Sequence, residues 1–288
     1  MSSLAYLAPA TVQEAVSALA TPGARALGGG TDLMVQMKSG RTKPQTVVDL
    51  KRIDGAMGIV ETADGFVIGA MTPCAVLTEH AGLVAAWPGV TEGAGLIGST
   101  QVQGRATMAG NLCNASPAAD SVPALIAARA VAVIVGPGGQ REVPVEEIPA
   151  GPGRNTLAPG EFVFAIRLPT KAPRSSDAYL RFIPRTEMDI AVVGAGVSLT
   201  LDAEGRITSA GVALGAVAPT ALRVTEAESL LIGTRLEPDV LERLAAAART
   251  VCRPISDKRG SVEYRIRTAG VLVKRAAVIA YQRAGGAA

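Results

Sequence analysis

Residues 106–120 read ATMAGNLCNASPAAD, a run of small side chains with two amides, one thiol and a closing carboxylate. The stretch is too apolar for a solvated linker and too uneven in pattern for an amphipathic helix, so irregular backbone is expected there. So little bulk over so many positions reads as main chain laid against an extended ligand. The rest of the chain limits what that ligand is. With 288 residues there is enough apolar area for a large core or two domains without staples. A formal charge of +3 with scattered Lys and Arg gives no basic run to track a phosphate backbone, which argues against nucleic acid. Three cysteines stand far apart without a CxxC pair, so no zinc knuckle or iron–sulfur cluster is expected on this chain, and the thiols read as reduced and cytosolic. No signal-peptide pattern opens the sequence, and no segment runs about 18 apolar residues unbroken; a soluble, cytoplasmic protein is expected. The single histidine, His80, has no GxSxG elbow to serve, which disfavours a Ser–His–acid hydrolase. It is expected at a helix end.

Periodicity divides the chain. TVQEAVSALATPG predicts a short amphipathic helix stopped by Pro22 and Gly23. ARALGGGTDLMVQMKSG predicts a strand over 24–27, a turn over 28–30 and a helix over 32–38. TVVDL is a buried strand, GFVIGAMTPCAVLTEH a strand and then a helix, and VPALIAARA a helix leading into the strand VAVIVG. KAPRSSDAYLRFIPRTEMD, polar and proline-bearing, reads as a boundary. Beyond it two or three antiparallel strands are expected around the turn DAEG, followed by three helices, the last over SVEYRIRTAGVLVKRAAVIAYQRA.

Two glycine signals differ in weight. VGAGVSL imitates GxGxxG but has Leu199 in place of the third glycine and continues into a hairpin, so it is not a dinucleotide fingerprint. LGGGTDLMVQMK does run strand, turn, helix. Its glycines let backbone N–H groups approach a phosphate, and the helix start at Asp32 points positive charge at the same place. Taken by itself, that loop reads better as a plain tight turn with Thr31 or Asp32 as N-cap. TMAGN, far downstream, is a second loop of the same kind, so one pyrophosphate could lie across both. Thr31, Thr107 and Asn111 would add side-chain donors, while Asp32 and Asp120 suit the hydroxyls of a ribose or ribityl chain.

With these residues in place, the sequence resembles the FAD-binding medium subunit of the molybdenum hydroxylases, the family of aerobic carbon monoxide dehydrogenase and xanthine dehydrogenase. The resemblance covers essentially the whole chain. It rests on GGGTDLMVQMK, IGSTQVQGRATMAGNLCNASPAADSVPALIA, RFIPRTEMDIAVVGAGVSL and ISDKRGSVEYRIRTAGVLVKRAA, in that order.

The resemblance implies an α+β protein. A two-part FAD-binding domain of the PCMH/vanillyl-alcohol-oxidase-like type would span 1–170, split near 55. A C-terminal α+β domain of the carbon monoxide dehydrogenase flavoprotein type, a small antiparallel sheet with helices, would span 171–288. It places the FAD pyrophosphate on Gly28, Gly29, Gly30 and Thr31, with Asp32 and Leu33 completing the contact, and on Thr107, Gly110 and Asn111. It makes Asp120 a sugar-hydroxyl ligand, Cys113 a shield of the isoalloxazine, and Arg181 and Asp189 the groups that approach the flavin from the C-terminal domain. It implies no catalytic side chain here, and no metal on this chain. Electrons would come from 2Fe–2S clusters on a small partner subunit, supplied by a molybdenum cofactor on a large one, in a dimer of heterotrimers, and would leave to an external acceptor. Two departures stand out: Ala109 replaces the first glycine of a frequent GG pair, and Met188 occupies a position that is acidic in xanthine dehydrogenase. Asp257, Arg259, Tyr264 and Arg265 are expected to tie the domains together or face a partner, with a plain capped surface helix as the alternative. A stand-alone FAD oxidase or reductase of the same architecture, or a non-catalytic partner that lost its flavin, are the competing readings.

Overall fold

The computed structural model describes residues 4–286. The chain opens with β1 (Ala5–Leu7), α1 (Val12–Leu19), β2 (Ala24–Leu27), α2 (Leu33–Lys38) and β3 (Thr46–Asp49), the strands forming a parallel sheet in the order β1-β3-β2. α1 starts at a reciprocal cap: the Thr11 hydroxyl accepts from Glu14 N–H while the Glu14 carboxylate accepts from Thr11 N–H. It ends before Gly23, whose φ of +77° turns the chain into β2.

A second layer follows: β4 (Ile59–Thr62), β5 (Gly65–Gly69), helices α3 (Cys74–Glu79), α4 (Ala81–Ala86), α5 (Pro88–Gly95), α6 (Thr100–Gln103), α7 (Met108–Asn114) and α8 (Ser121–Ala127), then β6 (Val131–Gly136), β7 (Gly139–Pro144), the short pair β8 (Pro149–Gly151) and β9 (Arg154–Asn155), and β10 (Phe162–Pro169). Its sheet has the order β4-β5-β10-β6-β7, antiparallel throughout. The helices pack with that sheet into one core that includes Leu77, Leu83, Trp87, Leu112, Leu125 and Ile134. His80 sits between α3 and α4 as expected of a helix end, with its Nδ1 accepting from Leu83 N–H at 3.1 Å.

Within this layer the expectation of irregular backbone over 106–120 is corrected. Met108–Asn114 is helical, because the Thr107 hydroxyl caps it on Gly110 N–H, and it stops at Ala115 in the left-handed region, φ +51°. The small residues are there so that the helix can be buried: Met108, Ala109 and Leu112 are each at most 4 % exposed.

The last layer is β11 (Ser175–Phe182), β12 (Val193–Leu201), β13 (Ile207–Gly215), β14 (Leu222–Arg223), α9 (Thr225–Leu231), α10 (Pro238–Thr250) and α11 (Val262–Arg283). The sheet is antiparallel, β11-β12-β13-β14, with four strands where two or three were expected. Part of the polar stretch read as a boundary is β11, paired residue for residue with β12 from Ser175–Thr200 to Phe182–Val193. Its alternation was masked because it packs on both faces: Asp177 is buried, holding Val90 N–H and Lys171 Nζ. α11 packs on β11 and β12, α9 on β13, and α10 on both of those helices, in a core of Val197, Leu199, Leu244, Val273, Ala276 and Tyr281.

The other face meets α8, and here VGAGVSL finds its purpose. A Cβ on Gly196 would stand 2.6 Å from Pro123 O, and one on Gly211 would stand 2.0 Å from Ala127 O. These glycines let α8 lie directly on the strands, so they serve packing and not a dinucleotide, as the hairpin reading required.

Asp257, Arg259, Tyr264 and Arg265 work locally. Arg265 donates to Val192 O and the Asp257 carboxylate, Arg259 pairs with Asp189 at 2.8 Å, and Tyr264 meets the Phe182 ring edge-on. They clamp the start of α11 to the loop after β11 instead of bridging to the N-terminal layers.

Candidate functional site

The turn after β2 and the start of α7 come together although nearly 80 residues of sequence separate them. A Cβ on Gly29 would stand 1.9 Å from Arg105 O and 3.0 Å from Ala106 Cα, so only glycine permits the approach. On Gly28 it would lie 3.6 Å from the Thr107 hydroxyl. The downstream strap is itself pinned, Cys74 N–H donating to Ala106 O at 2.8 Å and Ala106 N–H to Val102 O at 2.8 Å.

A cavity of about 630 Å³ opens along this junction, within the size range of cofactor sites. Gly28, Gly29, Gly30, Thr31, Asp32, Leu33, Thr107, Gly110, Asn111 and Cys113 all line it. Asp120, Arg181 and Asp189 do not. The Arg181 guanidinium instead donates to the Asp120 carboxylate at 2.8 Å and to Leu96 O at 2.6 Å, while Asp189 pairs with Arg185 and Arg259. Through the next residue Asp120 still reaches the wall: Ser121 N–H and hydroxyl both donate to Asn111 Oδ1, at 3.3 and 2.9 Å. That fixes the Asn111 amide with its NH₂ unused.

The wall is rich in idle donors. Gly29, Gly30, Thr31, Asp32 and Leu33 donate no backbone hydrogen bond to another described residue, and neither do Met108 and Ala109 at the start of α7. Gly110 N–H, by contrast, is taken by the Thr107 hydroxyl at 2.9 Å. Met108 does not line the cavity, so the wall donors of the second strap are Ala109 N–H and the Asn111 amide. Ala109 lines the cavity with its small side chain buried.

Charge and burial set the chemistry. Desolvation pushes the Asp32 carboxyl upward. Burial pushes Asp120 up to about 6 even though Arg181 opposes it. Burial likewise pushes the Cys113 thiol up to about 12, so it stays a neutral, soft group in the wall. Met188, at φ +52°, is exposed outside the cavity and donates to Gly98 O. Among the described residues no three His, Cys, Asp or Glu side chains converge on a metal position.

Sequence reading passed over part of the wall. Gln36 and Asn114 line it, joined by a 2.8 Å bond, as do Asn155, which donates to Cys113 O, and the turn Leu157–Gly160. Arg25 is also at the wall. None of these carries a motif.

Residues 2–171 match the family described as the FAD binding domain in molybdopterin dehydrogenase, and residues 178–279 match the carbon monoxide dehydrogenase flavoprotein C-terminal domain. The chain belongs to the FAD-binding medium subunits of the molybdenum hydroxylases. It is 35 % identical to the carbon monoxide dehydrogenase medium chain of Afipia carboxidovorans over 98 % of each chain. With the xanthine dehydrogenase FAD-binding subunit of Escherichia coli O157:H7 it shares 29 % over 98 % of this chain and 97 % of that one. The solved carbon monoxide dehydrogenase of Oligotropha carboxidovorans superposes with a TM-score of 0.93 at 34 % identity, covering 98 % of both chains. Quinoline 2-oxidoreductase from Pseudomonas putida gives 0.89 at 26 %, again over 98 % of both. The residues fit the family's flavin: two straps in contact, the unpaired N–H groups of Gly29, Gly30, Thr31, Asp32, Leu33 and Ala109 along the wall, and a cleft of cofactor size offer what a dinucleotide diphosphate needs. No helix among the described residues is long and apolar enough to cross a membrane.

Proposed function

We propose that this chain is the electron-relay subunit of a cytoplasmic molybdenum hydroxylase. It would take electrons from 2Fe–2S clusters of a small partner subunit and pass them to an external acceptor, while substrate is oxidised at a molybdenum cofactor on a large partner, in a dimer of heterotrimers. FAD, when bound, supplies the redox chemistry, since a flavin can take up electrons one at a time and hand them on singly or in pairs. This chain's residues hold and orient it. The N–H groups of residues 29–33 and of Ala109 and the Asn111 amide would bind the diphosphate, with Thr31 and Thr107 adding hydroxyls. Asp32 would accept from sugar hydroxyls, and Cys113 would exclude water from the wall beside the ring. Asp120, Arg181 and Asp189, which stand back from the cavity, are assigned to supporting its wall and the loop above it.

The observation that carries this reading is the contact between Gly29 and the Arg105–Ala106 backbone, which makes one site from two distant straps. Among the described residues around the cavity, no two side chains are set up as an acid–base pair, which supports a relay over a stand-alone oxidase. Native purification followed by subunit, metal and flavin analysis tests it. Two unlike partner subunits with molybdenum, iron and FAD in one particle are expected; a single flavoprotein turning over substrate unaided would overturn it.

A further inference from the structure

Lys51 lies just past β3, behind the first glycine strap and outside the cavity lining. Its Nζ donates to Gly28 O at 3.0 Å and pairs with Asp49 Oδ1 at 2.7 Å. Asp49 is held in turn. Its carboxylate accepts from the Tyr6 hydroxyl at 2.6 Å and from Lys51 N–H at 3.1 Å, and the residue is 7 % exposed. The ammonium is therefore not a loose surface charge; Tyr6, Asp49 and Lys51 form a chain that ends on one carbonyl oxygen.

That carbonyl shares a peptide plane with Gly29 N–H. The plane is trans, like every described peptide bond, so the two groups point in opposite directions. With Gly28 O held by Lys51, Gly29 N–H is turned away from Lys51, and it has no acceptor among the described residues. Glycine on both sides of the plane would otherwise let it rotate at little cost, aiming an oxygen where the donor stands. An anion would then meet a lone pair.

We infer that Lys51 is a positioning residue: from outside the cavity it fixes the Gly28–Gly29 peptide so that Gly29 N–H serves the diphosphate of the bound dinucleotide. This rests on the flavin reading of the cavity. It explains a Tyr–Asp–Lys arrangement, centred on the buried Asp49, that stands outside the cavity lining and that neither core packing nor the strap's contact with Arg105 requires.

The test uses the full chain freed of flavin, titrated with FAD and, separately, with riboflavin, which has no phosphate, and followed by quenching of flavin fluorescence. For Lys51→Met an FAD dissociation constant raised by about tenfold is expected, as for one lost hydrogen bond to a charged group. Riboflavin binding should be unchanged, and Lys51→Arg should recover most of the FAD affinity. Equal loss for both flavins, or no loss for FAD, overturns the inference. Should Lys51→Met not fold, Lys51→Gln, which keeps an uncharged donor, is expected to show a smaller FAD-selective loss, and wild-type values for both flavins would again overturn it. If the unmutated chain binds no FAD, the flavin reading itself fails, and that outcome is distinct from any failure of Lys51.

Discussion

Gly29→Ala is the sharpest single perturbation of the site. The added methyl carbon would lie 1.9 Å from Arg105 O, where ordinary contact begins at 3.4 Å. The obstacle is backbone, and it cannot give way, because Ala106 is held at both its N–H and its C=O. The first strap must therefore retreat by about 1.5 Å, at an overpacking cost of about 1–3 kcal/mol. Its N–H groups then lose register with Ala109 and Asn111. A bond of about 2.9 Å stretched by more than half an ångström is largely lost, so two charge-assisted bonds at about 1.5 kcal/mol each amount to about a hundredfold in affinity. Fluorescence titration of the flavin-free chain with FAD reads that loss, and thermal melting of the same sample should drop by roughly 3–6 °C. Gly138→Ala is the control, since nothing lies within 4 Å of its Cβ position; it should leave both readouts unchanged. A Gly29→Ala protein that binds FAD within threefold of the parent would refute the two-strap argument.

Three further outcomes follow from the same geometry. Asn111→Asp keeps the Oδ1 acceptor for Ser121 but replaces the free NH₂ by an anionic oxygen, so FAD binding should weaken by more than about tenfold while the melting temperature stays within about 2 °C; equal FAD affinity would remove Asn111 from the site. Asp120 has a folded pKa of about 6 against the ordinary 3.8, so its contribution to stability is complete below about pH 4 and lost as pH rises through 6, by about 3 kcal/mol at most. The melting temperature against pH should flatten in that window for Asp120→Asn, and identical profiles would contradict the assignment. Gly211→Ala places a methyl 2.0 Å from Ala127 O and should push α8 off the C-terminal sheet, lowering denaturant stability by about 1–3 kcal/mol; an unchanged urea midpoint would show that the helix–sheet contact is slack.

Local signals in the sequence were enough for much of the molecule. The Pro22–Gly23 stop ends α1, GGG between a strand and a helix marks the first strap, and the turn DAEG sets the β12–β13 hairpin, because turns and glycine conformations depend on neighbours in the chain. The family resemblance, carried by four motifs, joined those pieces into a flavin-binding whole. What lay beyond local signals was set by packing. α7 hid in a run of small residues because its burial is satisfied by contact with other elements and not by a stripe of its own. β11 looked like a linker because its polar Asp177 is paid for by Val90 N–H and Lys171. Asp120 and Arg181, separate ligands by motif, became an ion pair once β11 was laid beside the start of α8. Lys51 has no motif at all; only the parallel pairing of β2 with β3 carries its ammonium to Gly28 O. Which residues can bend, cap or donate is a property of the chain, whereas which donors stay free and face one another is settled by strands and helices meeting across long stretches of sequence.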